Sequence, residues 1–353
     1  MKRWVIVILG LMPLPLWAQL TTAVPFMAVA TDARSVGMGE TGVATRPDIS
    51  ALYWNAAKYA FTDDKTGGVL SYAPWMRETQ KGMNLGALNA FYRFGKKHTL
   101  ALGGRYFTYG KTEMLDDKGQ HTGTVSPADF SVDLGYAFRV HPSWSVGILL
   151  HYIHSDALAG VADAASGFAA DVSVYFREKK SYFGKPVTWS AGLNLSNLGP
   201  KLSYGDGLDN NYLPANLRLG GGAALGICPG HELALTVELN KFLVPGIKTN
   251  TAGVNYLPDE SWIKGMGSSF SDRFSSVAWA AGAEYSWSHW LKVRAGYHLR
   301  HKDWGDRRYV TCGLGTGYAG LALDVAYRIP ADKESPFCNS WGVTVGYRIK
   351  NDK

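Results

Sequence analysis

The sequence predicts an all-β chain, a transmembrane antiparallel β-barrel of about fourteen strands. Three observations predict it. Runs of about ten to fourteen residues alternate apolar with polar or small side chains, the period of a two-faced strand and the length of one that crosses a bilayer at a tilt. The connections between runs are alternately short and long. Gly (41), Tyr (19), Phe (14) and Trp (12) are plentiful and charged residues are only 18%, which suits many strands with aromatic ends, while helical periodicity is nearly absent.

The first element is a secretory signal over residues 1–18. Lys2 and Arg3 precede a short apolar run from Trp4 to Leu16, broken by Pro13 and Pro15, and Ala18 supplies a small residue before Gln19. No later run reaches eighteen apolar residues, so no transmembrane helix is expected.

Next comes "SVGMGETGVATRPDISALYWNAAKY", Ser35 to Tyr59, in which Gly37, Gly39 and Gly42 match the spacing G-x-G-x-x-G of a dinucleotide-binding turn. That fingerprint needs a strand before it and a helix opening at its third glycine. Here "AVATDARS" is no buried strand and Pro47 interrupts the helix, so the dinucleotide reading fails.

The alternating runs span 67–75, 83–94, 98–109, 128–140, 144–156, 166–178, 186–198, 215–227, 231–243, 274–287, 290–301, 308–318, 321–330 and 340–349. In one of them, Phe130, Val132, Leu134, Tyr136 and Phe138 face one way and Ser131, Asp133, Gly135 and Ala137 the other. The links at 95–97, 141–143, 228–230, 288–289 and 319–320 are tight, whereas 111–127, 156–165, 199–214, 244–273 and 331–339 are long. Short periplasmic turns and long outer loops give that asymmetry. "REKKSYFGK" from Arg177 reads as a short-side link longer than its peers. Trp75, Tyr109, Trp144, Tyr182, Trp189, Trp287, Trp290 and Trp341 stand at run ends, where interfacial aromatics belong.

On the polar faces lie Arg105, Asp133, Arg139, Asp171, Arg177, Arg218, Glu238, Glu284, Arg294, Asp324, Arg328 and Arg348. Their mixed signs fit either an internal ion-pair network or a lumen that receives a charged peptide end. The net charge of +7 is scattered rather than clustered, which argues against nucleic acid and for headgroups of lipid and lipopolysaccharide, or lumen carboxylates, as its counterparts. Cys228, Cys312 and Cys338 form no C-x-x-C, and a single Cys228–Cys338 or Cys312–Cys338 bridge is compatible with the spacing. His151 and His154 are three apart on one strand and point to opposite faces, so they share no metal. No nucleophile elbow links Ser, His and Asp, and neither an enzyme nor a cofactor is expected. The loop 244–273 carries Leu257, Trp262, Ile263, Met266 and Phe270, side chains that suit a lid or a partner-binding surface.

Two stretches carry a resemblance. "AVPFMAVATDARSVGMGETGVATRPDISALYWNAAKYAF", Ala23 to Phe61, and "LNLSNLGPKLSYGDGLDNNYLPANLRLGGG", Leu193 to Gly222, are similar to the PorV family, outer-membrane components of the type IX secretion system of Bacteroidetes. The resemblance implies a fourteen-stranded FadL-like barrel over 67–353 with a lumenal plug over 19–66. In that plug Gly37, Gly39 and Gly42 would allow tight turns, and Tyr53, Trp54 and Asn55 would hold it in place. It implies a carrier that takes cargo with a C-terminal signal domain from the translocon barrel (Sov/SprA-like) to the attachment complex that includes PorU. Tyr204, Tyr212, Leu213, Trp262, Phe270, Trp304 and Phe337 are then the expected contacts for cargo or translocon. The competing expectation is a FadL-like uptake channel for hydrophobic small molecules, which needs an apolar passage through the lumen.

Overall fold

The computed structural model describes residues 22–350 except 77–79, 117, 206–207, 209, 250–254, 272–275, 289, 302–306, 333–334 and 336–339. An N-terminal segment with one short helix, α1 (Ala33–Gly37), leads into β1 (Asp64–Pro74), β2 (Met83–Phe94) and β3 (His98–Tyr109). A small outer hairpin, β4 (Thr112–Leu115) with β5 (His121–Val125), follows. Then come β6 (Ala128–His141), β7 (Trp144–Ser155), β8 (Ala165–Tyr182), β9 (Lys185–Leu198), β10 (Asn216–Cys228) and β11 (His231–Phe242). The two-residue strands β12 (Lys248–Thr249) and β13 (Asn255–Tyr256) and the helix α2 (Trp262–Ser268) occupy the longest loop. The chain ends with β14 (Val277–Trp287), β15 (Leu291–Leu299), β16 (Arg308–Tyr318), β17 (Leu321–Pro330) and β18 (Trp341–Lys350).

With β4–β5 and β12–β13 set aside, fourteen strands close a barrel, each antiparallel to the next, and β1 pairs with β18 from Thr66↔Ile349 to Tyr72↔Val343. Closure leaves no edge, so the wall's N–H and C=O groups are paired without water, as a bilayer requires. The dyad period decides which face is oily. On β7, Val146, Ile148, Leu150 and Tyr152 face outward, and Ser145, Leu149, His151 and Ile153 are buried inside. The same division puts Val132 and Leu134 outside and Ser131 and Asp133 inside on β6.

Strand positions match the alternation to within a few residues, with three differences. β1 begins at Asp64, inside the segment expected as plug, because Thr66 to Pro74 pair with β2. The stretch after Arg177 is strand rather than loop: β8 continues to Tyr182, paired with β9 from Arg177↔Ser190 to Tyr182↔Lys185. Trp75 and Tyr109 are not interfacial. Trp75 is buried beneath the Arg328 guanidinium, 5.4 Å from its ring, and the Tyr109 hydroxyl donates to Asp129 at 2.6 Å. Trp144, Trp189, Trp287 and Trp290 do face outward. Cys228 and Cys312 are exposed free thiols among the described residues, and Cys338, the partner in either expected bridge, lies outside them.

Candidate functional site

The N-terminal segment runs through the barrel from the long-loop rim to the short-turn rim. At the outer end Ala23 N donates to Tyr212 O (2.8 Å), and at the inner end Tyr59 O accepts from Thr99 on β3 (3.3 Å). Between them, local capping gives the chain short turns. Asp32 accepts from Ser35 N (2.8 Å) to open α1, and Asn55 accepts from Ala57 N (3.1 Å) to open a 3-10 turn over Ala56–Phe61.

Gly37, Gly39 and Gly42 do different jobs. Only Gly39 has positive φ (74°), and any Cβ there would stand 2.7 Å from Tyr297 N and 2.8 Å from Ala281 O. Gly37 lies against Gly313 of β16, and Thr311 brackets this turn by accepting from Gly39 N (2.9 Å) and donating to Gly37 O (3.0 Å). Gly42 lies flat against the Trp54 ring. The wall answers with glycines of its own: Gly296 and Gly282 meet the backbone at Met38 and Gly39, and Gly192 meets Val43 O. Sequence reasoning did not single out these wall glycines. Their signal was available, since each falls on the inward phase of a strand whose other inward residues are polar.

Tyr53, Trp54 and Asn55 fix the second half of the segment. Trp54 Nε1 donates to Asp32 (2.6 Å) while Arg218 lies over the indole at 4.5 Å. Arg105 lies over the Tyr53 ring at 4.3 Å, and the Tyr53 hydroxyl donates to Leu88 O at 3.3 Å. Asn55, fully buried, donates to both Val43 O (3.0 Å) and Val174 O (2.9 Å), joining two parts of the segment to β8.

The wall charges pair both with this segment and with one another. Glu284 takes Arg34 (3.0 Å), Arg46 (3.1 Å) and Arg294 (2.7 Å), and Arg294 also reaches Asp324 (2.7 Å). Arg34 continues to Asp48, which Lys58 approaches at 3.7 Å. Glu238 accepts from Gly42 N (2.8 Å) and Val43 N (3.0 Å) and faces Arg218 (3.4 Å). His151 lies between Asp133 (2.5 Å) and Asp171 (2.9 Å), while His154 faces outward onto Ser166. Three of the expected lumen charges lie at the short-turn rim instead: Arg139 donates to Pro142 O (2.6 Å), Arg177 lies on β8 past Phe176, and Arg348 is half-exposed and pairs loosely with Asp64 at 3.8 Å. Glu40, which the sequence reading passed over, adopts φ 64° and reaches Arg328 at 3.0 Å. Burial pushes its carboxyl up, but Arg328, with His298 and Arg307 nearby, outweighs this and holds it below the usual range.

At the outer rim, the expected contact residues divide. Tyr204, Tyr212 and Leu213 are buried and offer no face to a partner, a correction with a clear cause. Tyr204 and Leu213 pack with Ala23, Val24 and Phe26 under the loops. The Tyr212 hydroxyl holds Pro258 O and Glu260 O (both 2.9 Å), tethering the loop of α2. That loop is not structureless: Ser261 accepts from Lys264 N (3.4 Å) to cap α2. Trp262 is half-buried, whereas Ile263 is 63% and Phe270 60% exposed. Trp304 and Phe337 lie outside the described residues.

The family model described as Type IX secretion system protein PorV matches residues 17–249. The chain belongs to the PorV family. No curated protein sequence matches it. Among solved structures, it is similar to the Pseudomonas putida toluene transporter TodX at 14% identity and TM-score 0.52, over 90% of this chain and 97% of that one. It is also similar to the Ralstonia pickettii toluene transporter TbuX (13%, TM-score 0.50, 91% and 98%) and to the CymD monoaromatic hydrocarbon channel (12%, TM-score 0.53, 92% and 98%). At these identities the likeness is one of fold, a closed antiparallel barrel of fourteen strands like that of these transporters. The family and these neighbours are secretion and channel proteins rather than enzymes.

Proposed function

We propose that the chain is a carrier of the type IX pathway that binds secreted proteins through their C-terminal signal domain and moves them from the Sov/SprA-like translocon barrel to the attachment complex that includes PorU. Membership of the PorV family supports the pathway. The observation that carries the carrier reading is a filled lumen beneath an apolar outer surface. Residues 22–62 act as a plug held by ion pairs. A cavity beside the plug is about 20 Å³, room for a water molecule, and Arg105, Asp171, Asn197 and Arg218 line it together with Met27, Val29 and Trp54. Hydrocarbon uptake needs a far larger apolar passage. Above the rim, Ile247, Tyr256, Ile263 and Phe270 are all more than 40% exposed, the kind of apolar and aromatic side chains that anchor protein interfaces. The loop 244–273 is therefore the cargo contact, with Ile263 and Phe270 as anchors beside the half-buried Trp262.

The test is affinity purification of the tagged protein from detergent-solubilised outer membranes, with mass spectrometry of what accompanies it. Exported proteins that share a C-terminal signal domain should accompany the wild type and fall at least tenfold with Ile263→Ala/Phe270→Ala, while heat-modifiable migration of the barrel is unchanged. Unchanged recovery reduces the loop to a lid. Recovery of small apolar molecules without exported proteins supports the uptake channel instead.

A further inference from the structure

β8 does not end where its neighbour ends. Its pairing with β7 stops at Trp144↔Phe176, two rings 4.9 Å apart that mark the aromatic rim. Pairing with β9 continues to Tyr182↔Lys185, and β10 accompanies β9 only as far as Leu225↔Val187. Ser181 to Lys185 therefore project past the last pairs with both neighbours, while Pro186 still lies against Gly226 of β10. With about 3.3 Å per residue and a tilt of about 40°, the turn stands roughly 15 Å beyond the rim, about twice the depth of a headgroup layer. Other turns on this side, at 95–97, 142–143, 229–230 and 319–320, begin within about four residues of the last pairs Thr66↔Tyr92, Phe138↔His98, Leu225↔Val187 and Leu291↔Thr316, against seven residues from Phe176 to Phe183.

The tip is chemically unusual as well as long. Phe183 (φ 51°) and Gly184 (φ 74°) form a two-residue turn with positive φ at both positions, where Asn-Gly is the inexpensive choice. An aromatic residue is strained there, and Phe183 recovers nothing by burial, because its side chain is fully exposed. Tyr182 beside it is 44% exposed. Around them stand Arg177, Lys179, Lys180 and Lys185, with Glu178 as the one acid between Arg177 and Pro186. Folding gains nothing from this combination, and lipid headgroups end short of the tip.

We propose that the β8–β9 hairpin docks a soluble periplasmic protein that presents an acidic surface around an apolar pocket. Phe183 fills the pocket and the lysines pair with its rim. This rests on the orientation adopted above, with short turns in the periplasm, and is independent of the cargo reading.

The test places the photo-crosslinker p-benzoylphenylalanine at position 183 in living cells and, as a control, at Tyr318, which is 85% exposed beside another turn of the same rim. The expected result is one discrete protein adduct from 183 and none from 318. That protein, purified, should bind the barrel in nanodiscs in a salt-sensitive way. Binding should weaken at least tenfold with Phe183→Asn, a change that relieves the turn, and with Lys179→Glu/Lys180→Glu/Lys185→Glu. Adducts to phospholipid or peptidoglycan alone, or a protein adduct indifferent to charge reversal, overturn the proposal. Labelling of Phe183→Cys, in a Cys228→Ser/Cys312→Ser/Cys338→Ser background, by a membrane-impermeant maleimide on intact cells shows instead that the orientation is reversed.

Discussion

Gly39 and Glu40 form a turn in which backbone and charge are both committed to the barrel wall. A Cβ at Gly39 meets backbone atoms of β14 and β15, which cannot rotate away. Gly39→Ala should therefore cost about 2 kcal/mol or more and loosen the segment without opening the barrel. Limited proteolysis of residues 22–62 in the detergent-solubilised protein checks this, with heat-modifiable migration as the control. Glu40 makes a pH-dependent prediction. Its folded pKa lies below the unfolded value, so its contribution is present above about pH 4.5 and is lost as the pH falls. Glu40→Gln should lower the melting temperature at neutral pH, and the gap from wild type should close in acid. A gap that persists in acid would show that packing, not charge, is what Glu40 supplies. At this scale the sequence showed which charges lie inside, because alternation along a strand sets the face. It did not show their partners, because Arg34, Arg46 and Asp48 come from a segment without periodicity.

Capping and pairing decide the elements. Asn55 caps the 3-10 turn and ties Val43 O and Val174 O together, so Asn55→Ala leaves two buried carbonyls without this donor. The expected loss is about 2 kcal/mol, read as a lower melting temperature and faster cleavage of the segment. The barrel strands were legible almost residue by residue because each has one face in lipid and one in a polar interior, which sharpens the dyad period. Two elements were not. The end of β8 carries charged residues on both faces once it leaves the membrane, so "REKKSYFGK" reads as loop although β9 pairs with it throughout. α2 is a seven-residue helix containing two glycines, too short for a periodic pattern, and Tyr212 stabilises it from another loop.

Across the whole molecule, β1 closes on β18 without help from residues 22–61, whereas those residues depend on the wall for many of their hydrogen bonds. Deleting Thr22 to Phe61 should leave a heat-modifiable barrel and create a steady conductance in planar bilayers that the intact protein lacks. Loss of the barrel itself would mean that the segment is needed for closure. The sequence by itself determined the class of fold, the strand boundaries, the inward and outward faces and the family, since all of these follow from local periodicity and short motifs. Only the tertiary structure decided which wall residues hold the N-terminal segment and which outer residues remain available. Tyr204, Tyr212 and Leu213 look like surface anchors in a long loop, yet Tyr204 and Leu213 are buried with Ala23, Val24 and Phe26, and Tyr212 is buried against the loop of α2, both far away in the chain. The physical reason is that burial in a closed barrel depends on which distant segment enters it, and a period-2 pattern carries no information about that segment.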